Sequence, residues 1–70
     1  MNWTDVESSS ISQIGHDPST NTLGIKYQNG STYHYDGVSA EKHQELLKAA
    51  SIGKYVNMFI KGVHGHRKAN

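Results

Sequence analysis

Residues 23–35 read LGIKYQNGSTYHY, which is the pattern of a β-hairpin. Large apolar side chains alternate with small or polar ones on either side of a central Asn-Gly pair, so each arm is predicted to be a half-buried strand. A three-residue loop, residues 28–30, pairs Ile25 with Tyr33 and places the large side chains of both arms on one face. A two-residue loop places the tyrosines on the opposite face from the aliphatic residues. We therefore predict the three-residue loop, with Gly30 in the left-handed position of a bulge.

Further elements are predicted on both sides of the hairpin. Residues 7–16 predict a first strand, in which Ile11 and Ile14 have opposite parity, so the strand either carries a bulge or buries parts of both faces. Residues 40–50 predict helix one and residues 52–62 predict helix two, because apolar residues recur there at spacings of three and four. The predicted fold class is α+β, a three-stranded antiparallel β-meander followed by two α-helices packed on one face (βββαα).

The chain of 70 residues is predicted to form a single domain. We expect an ordered core over about residues 3–64 and a frayed, basic tail over residues 65–70. The sequence contains no cysteine, so disulfides and thiolate metal sites cannot stabilise the fold. No apolar run is long enough for a transmembrane helix, and residues 1–5 lack the pattern of a signal peptide. We expect a cytoplasmic protein with no membrane partner, present as a monomer or weak homodimer.

Helix two has two different faces. The apolar face is predicted to cover the sheet alongside helix one. Its residues are Ile52, Tyr55, Val56, Phe59, Ile60 and Val63. The polar face carries Lys54, Asn57, Lys61 and His64, at positions i, i+3, i+7 and i+10. Asn is a poor helix former in mid-helix, so Asn57 is expected either to tie the helix to a neighbouring loop or strand, or to contact a ligand.

The net charge of +1 conceals a strong asymmetry. Residues 1–41 hold five carboxylates and one lysine, a net charge of −4, whereas residues 42–70 hold six cations and one carboxylate, a net charge of +5. This division favours an anionic partner for the C-terminal part of the chain. The alternative is that the lysines only keep a small protein soluble.

The start of helix two combines features suited to binding an anion. Ser51 offers a hydroxyl, Gly53 lets a ligand approach and Lys54 supplies charge, although the glycine spacing of a phosphate-binding P-loop is absent. Alternatively, Ser51 only caps the helix, Gly53 avoids a clash with helix one and Lys54 is solvated. The basic stripe continues into the tail and could contact a nucleic-acid backbone. The candidate anion- or nucleic-acid-binding residues are Ser51, Gly53, Lys54, Asn57, Lys61, His64, Arg67 and Lys68.

The five histidines predict neither a metal site nor a catalytic site. His64 and His66 are a two-ligand fragment without a matching carboxylate or cysteine, so no metal is predicted. His16 is better explained by packing and His34 by solvation on a strand than by proton transfer. The predicted register buries the three tyrosines of the hairpin, so no platform for base stacking is predicted either. We expect no enzymatic activity and no cofactor.

Residues 51–61 are similar to the C-terminal signature of the KTSC domain, which has the form small-x-Gly-(Lys/Arg)-aromatic-hydrophobic-Asn-x-x-Ile. The matching positions are Ser51, Gly53, Lys54, Tyr55, Val56, Asn57 and Ile60. Residues 8–17 resemble the opening strand of the family, where a Tyr often stands at the His16 position, and residues 33–38 resemble its central aromatic pair and turn. The resemblance covers about residues 3–64. The family is a small bacterial and phage module named for its occurrence at the C-terminus of some lysyl-tRNA synthetases.

The charge division and the resemblance lead to two functional hypotheses. The first is a non-catalytic accessory or binding module that contacts nucleic acid (tRNA or DNA backbone), or another anionic partner, through helix two and the basic tail. The link to tRNA is only an association that the resemblance implies, since a family predicts a fold more firmly than a function. The alternative is a phage- or prophage-type protein–protein adaptor or self-associating domain without nucleic-acid binding, which uses a sheet edge or Trp3.

Overall fold

The computed structural model describes residues 1–69 and is an α+β fold in which a five-stranded antiparallel sheet packs against two helices. The elements are β1 (Asn2–Asp5), β2 (Ile11–Asp17), β3 (Thr22–Tyr27), β4 (Thr32–Tyr35), α1 (Ala40–Lys48), α2 (Ile52–Tyr55), a π-helical segment (Val56–Ile60) and β5 (His66–Lys68). The strands lie in the sheet in chain order, β1 to β5. The predicted three-stranded meander is therefore the centre of a wider sheet.

The two unpredicted strands pair with the edges of the meander. Strand β1 is antiparallel to β2, with Trp3 opposite Gly15, and β5 is antiparallel to β4, with His66 opposite Tyr35. The prediction of a frayed tail is wrong for β5, and Asn70 lies outside the described residues. A meander leaves unpaired N–H and C=O groups along both edges, and these short strands satisfy them. Neither strand has the alternating apolar pattern by which a strand is predicted, because both are exposed along their whole length and bury no face.

The central hairpin is confirmed in its predicted register. Ile25 is opposite Tyr33, the Tyr27 amide donates to the Ser31 carbonyl over 2.8 Å, and Gly30 has a φ of +92°. The bulge in the preceding strand is confirmed as well, because the register shifts between Ile11 and Gln13. This shift places the isoleucines of β2 on the same buried face, although their sequence positions have opposite parity.

The core lies between one face of the sheet and the helices. Its buried apolar residues are Ile11, Ile14, Leu23, Ile25, Tyr35, Val38, Leu46, Val56 and Ile60. Ser39 caps α1, because its hydroxyl accepts a hydrogen bond from the Lys42 amide at 3.2 Å. None of the helices in the part of the chain that the structure describes is long and apolar enough to cross a membrane.

Helix two is shorter and wider than predicted. After Tyr55 the hydrogen bonding changes to i→i+5, and the Lys61 amide donates to the Val56 carbonyl over 2.8 Å. The wider turn keeps Val56 and Ile60 in the core but leaves Phe59 47% exposed, and Val63 lies beyond the end of the helix, 61% exposed. The prediction that these last two residues cover the sheet is therefore wrong, because it assumed 3.6 residues per turn throughout.

The other face of the sheet is covered in part by the N-terminus. A Cβ added at Gly24 would lie 2.7 Å from the Trp3 ring, so the ring lies directly on the glycine backbone. Gly24 alternates with the buried Leu23 and Ile25, so this contact is on the face away from the helices. Trp3 is 40% exposed in this position and does not enter the core.

Candidate functional site

The eight predicted site residues do not form one continuous surface. Four of them line a groove between helix two and the loop before β2, which we call the serine groove. Lys61, just after the end of helix two, lies in a separate cavity. His64 and Arg67 contact Asp36, and Lys68 is paired with Tyr33 in the sheet. The predicted stripe is therefore divided by the fold, because the chain turns back into β5 after the helix ends.

The serine groove has a volume of about 440 Å³ and mixed charge. The residues from the two sides that carry its polar side chains are Glu7, Ser8, Ser9, Ser10, Ser51, Lys54 and Asn57. The Ser51 hydroxyl accepts a hydrogen bond from the Lys54 amide at 3.3 Å, and the Ser8 hydroxyl accepts from the Ile11 amide at 3.3 Å. These hydroxyls therefore cap backbone groups of their own segments.

Two further observations concern the helix start. A Cβ added at Gly53 would lie 3.1 Å from the Ser10 hydroxyl oxygen, so this glycine permits close approach to the loop before β2 rather than to α1. The α-helical part of helix two spans four residues, so the dipole available at Ser51 is small. Glu7, on the opposite wall, adds a negative charge beside Lys54. The groove therefore has only a modest preference for an anion.

Asn57 is exposed in the serine groove. Its side chain makes no hydrogen bond to any other of residues 1–69, so the expected tie to a neighbouring loop or strand is not seen. The amide is therefore available for a contact outside the chain.

His64 and Arg67 have structural contacts. The Nδ1 atom of His64 lies 2.9 Å from the Asp36 carbonyl, and its Nε2 atom lies 2.7 Å from the Lys42 ammonium. A carbonyl only accepts and an ammonium only donates, which assigns a neutral ring that donates from Nδ1 and accepts at Nε2. Arg67 forms an ion pair with the Asp36 carboxylate at 2.6 Å. Together these contacts join α1, the turn after β4 and β5.

Lys61 belongs to a cavity of about 390 Å³ that we call the tyrosine cleft. Its lining residues are Tyr27, Asn29, Ser31, Tyr33, Tyr35, Lys61, Gly62 and His66. The prediction that all three tyrosines are buried is wrong, because only Tyr35 is fully buried while Tyr27 and Tyr33 are half-buried. Helix two ends before it covers them, and β5 adds an exposed imidazole beside them.

The aromatic groups of the tyrosine cleft have defined contacts. The rings of Tyr27 and Tyr33 meet edge to face with centroids 5.8 Å apart, and His66 lies 5.9 Å from Tyr33. The hydroxyls of Tyr27 and Tyr35 are 3.0 Å apart. Burial, followed by this hydrogen bond, raises the pKa of Tyr27 above its ordinary value, so the phenol is neutral at physiological pH. The Lys61 ammonium lies 5.3 Å from the centre of the Tyr27 ring.

His16, which the sequence assigned to packing, lies outside both cavities. His16 is buried and its Nε2 atom donates to the Val38 carbonyl at 2.7 Å. Asp17 accepts hydrogen bonds from the amide and hydroxyl of Ser19, which lower the pKa of its carboxyl group. Residues 1–69 contain no cluster of three or more His, Asp or Glu side chains placed to hold a metal ion. These side chains act in packing and turns rather than in a concave site.

The chain belongs to the KTSC domain family, whose profile matches residues 7–64. It is similar to a KTSC domain protein from Yersinia pestis of known crystal structure, with a TM-score of 0.92 and 37% identity over 99% of this chain and 97% of that chain. The family resemblance and the α+β class are thus confirmed.

Two kinds of sequence relative extend this result. An uncharacterized protein from Stutzerimonas stutzeri is 36% identical over 64 residues, which are 91% of this chain and 90% of the relative. A lysine–tRNA ligase from Nostoc punctiforme is 39% identical over 56 residues, which are 80% of this chain but 10% of the ligase. The domain therefore occurs both as nearly a whole protein and as a small part of a much larger one.

Proposed function

We propose that this KTSC domain is a non-catalytic binding module that contacts the phosphate backbone of RNA through the lysines at the two ends of helix two. The observation that carries the proposal is that Lys54 and Lys61 are exposed and make no ion pair. Among the described residues, 1–69, the only salt bridge is between Arg67 and Asp36. Of the six cations of residues 42–70, Arg67 is paired with Asp36 and Lys42 contacts His64, so four lysines, including Lys54 and Lys61, remain for an anionic partner.

The relatives support RNA as that partner. The name of the Nostoc punctiforme relative describes an enzyme that acts on tRNA, and this domain matches a tenth of it. Contacts to phosphates from a few lysines are independent of base sequence and weaken with salt. With two phosphates neutralised, one at each lysine, the logarithm of the association constant is expected to fall with the logarithm of salt concentration with a slope of about −1.4 to −1.8.

A salt-dependent titration with tRNA tests the proposal. The Lys54→Glu/Lys61→Glu double variant should lose most of the binding at low salt, whereas Lys26→Glu/Lys48→Glu should retain it. Both double variants change the net charge by the same amount, and Lys26 and Lys48 are exposed but lie in β3 and α1. Equal losses would show that only net charge matters, and no binding by the wild type at low salt would refute the proposal. Duplex DNA, titrated in parallel, shows whether the contacts require RNA.

A second function, self-association, is favoured by one specific observation. Three large apolar side chains at the end of helix two are exposed, Met58 by 62%, Phe59 by 47% and Val63 by 61%. An exposed apolar surface of this kind is typical of a protein–protein contact. Sedimentation velocity of the wild type and of a Phe59→Ser variant tests it. A concentration-dependent dimer that the substitution abolishes would support this function, and a wild-type monomer at high concentration would exclude it.

A further inference from the structure

The tyrosine cleft differs from the serine groove in the chemistry of its walls. It is lined by aromatic rings, an amide, a hydroxyl and two basic side chains, and by no carboxylate. The serine groove contains Lys54 but also Glu7, and it has no aromatic residue. Of the two cavities, the tyrosine cleft is therefore the better match for a ligand that combines a flat ring with a negative charge.

The rings of the cleft are open to a flat partner. Tyr27 and Tyr33 are half-buried and His66 is exposed, so the aromatic surface that helix two and β5 leave uncovered faces the cavity. The rings meet one another edge to face or tilted, and none is stacked face to face on another. Because the Lys61 ammonium lies over the Tyr27 ring, Tyr33 and His66 are the rings that remain for a flat partner. Unpaired nucleobases stack on tyrosine and histidine rings in single-stranded RNA recognition.

The charge of the cleft lies beside these rings. The Lys61 ammonium is 5.3 Å from the centre of the Tyr27 ring and makes no ion pair within residues 1–69. The side chain of Lys68 belongs to the same sheet face as His66, since both positions of β5 have the same parity. Lys61 is the lysine that lines the cleft, so a phosphate attached to a stacked base would meet its ammonium there.

We propose that the tyrosine cleft binds one unpaired nucleotide of RNA, with its base against Tyr33 and His66 and its phosphate at Lys61. The inference rests on the proposed RNA binding and adds a preference for single-stranded over fully paired RNA. The Asn29 Oδ1 atom accepts a hydrogen bond from the Ser31 amide at 2.9 Å, so the groups that these two residues offer to the base edge are the Asn29 side-chain NH₂ and the Ser31 hydroxyl. The preference follows because a base within a duplex cannot enter a cavity on the protein surface.

Fluorescence anisotropy with a labelled ten-nucleotide single strand, and with the same strand annealed to its complement, tests this inference. The wild type should bind the single strand more tightly than the duplex. Tyr33→Leu should weaken single-strand binding about tenfold, which is within the range of base–aromatic stacking, and leave duplex binding unchanged. His66→Ala, at an exposed position, repeats the test without touching the core. Tyr55→Leu is the matched control, because Tyr55 is also half-buried but lies outside the cleft.

The outcomes separate this inference from the proposed function. Equal affinity for both RNAs, unchanged in Tyr33→Leu and His66→Ala, would overturn the cleft as a nucleotide site and leave backbone binding intact. No affinity for either RNA would overturn both. Amide shifts of Gly62 and Ser31 on titration with phenyl phosphate but not with uridine monophosphate would assign the cleft to an aromatic phosphate of another class and overturn the nucleotide.

Discussion

The imidazole rings of His16 and His43 stack on one another, with centroids 4.9 Å apart and planes 10° from parallel. The pair joins β2 to α1, since His16 also donates to the Val38 carbonyl just before that helix. The Nε2 atom of His43 is buried and has no hydrogen-bond partner within residues 1–69. Burial, and then the neighbouring His16 ring, lower the pKa of His43 below its ordinary value of 6.5. A protonated His43 is therefore less favourable in the folded chain than in the unfolded chain.

This contact predicts that the domain loses stability in mild acid. In the unfolded chain His43 binds a proton as the pH falls through about 6.5, whereas in the folded chain it binds one only at lower pH. The contribution is thus fully present above about pH 6.5 and is lost as the pH falls towards the folded-state pKa. Urea unfolding at several pH values between 5 and 8 measures the effect as a change in the free energy of unfolding.

A His43→Leu variant removes the titrating ring. In this variant the free energy of unfolding should depend less on pH between pH 5 and 7 than in the wild type. His34→Gln is the control, because His34 lies across the sheet from this contact, paired with Gly24. His34→Gln should retain the wild-type slope of unfolding free energy against pH. The same steep slope in His43→Leu would show that another group is responsible.

The contact of Trp3 with Gly24 leads to a second prediction. A Cβ at Gly24 would lie 2.7 Å from the indole ring and from the Met1 sulfur, so Gly24→Ala must displace both side chains. We expect a red shift of the tryptophan fluorescence and a loss of about 1 kcal/mol in the free energy of unfolding, which is typical of a mild steric conflict. Gly65→Ala is the control, because its Cβ would lie 3.9 Å from the nearest atom. An unshifted emission maximum in Gly24→Ala would contradict the contact.

The sequence predicted the centre of the sheet but not its edges. The hairpin register followed from the alternation of large side chains, because only one loop length puts them on the same face. Strands β1 and β5 are four and three residues long and wholly exposed. Strand β1 pairs with the next strand in the chain and β5 with a strand that both helices separate from it, and neither short strand carries an apolar pattern of its own that encodes its pairing. For the same reason residues 65–70 were expected to be frayed.

The candidate site was predicted only in its individual residues. Lys54 and Lys61 were identified from their spacing, which assumes 3.6 residues per turn, but they line different cavities, because the wider turn of Val56–Ile60 lies between them. The tyrosine cleft was missed because it depends on His66 in β5 and on a helix that ends at Ile60. The available signal was a set of three tyrosines on one face of the hairpin, Tyr27 in β3 and Tyr33 and Tyr35 in β4.

The hydrogen bonds of His64 predict that this residue contributes more to stability than Arg67 does. His64 joins the Asp36 carbonyl to the Lys42 ammonium, whereas Arg67 makes an exposed ion pair. His64→Ala removes two hydrogen bonds and should cost about 1–2 kcal/mol. Arg67→Gln should cost less than about 1 kcal/mol, because exposed ion pairs are screened by water. Chemical denaturation of both variants makes the comparison, and a larger loss for Arg67→Gln would refute it.

The turn at Gly62 predicts a way to detach β5 without disturbing the core. Gly62 has a φ of +77°, a conformation that a β-branched residue strongly disfavours, and it directs the chain back to β4. The Ala69 amide donates to the Thr32 carbonyl at 2.7 Å and reports whether β5 is paired. In Gly62→Val this amide should exchange with solvent much faster than in the wild type, while the amides of β3 remain protected. Gly65→Val, at a position without positive φ, should preserve the protection of Ala69. If Ala69 stays equally protected in Gly62→Val, the pairing of β5 does not depend on this turn. The position of His66 in the tyrosine cleft would then be fixed by the pairing of β5 with β4 alone.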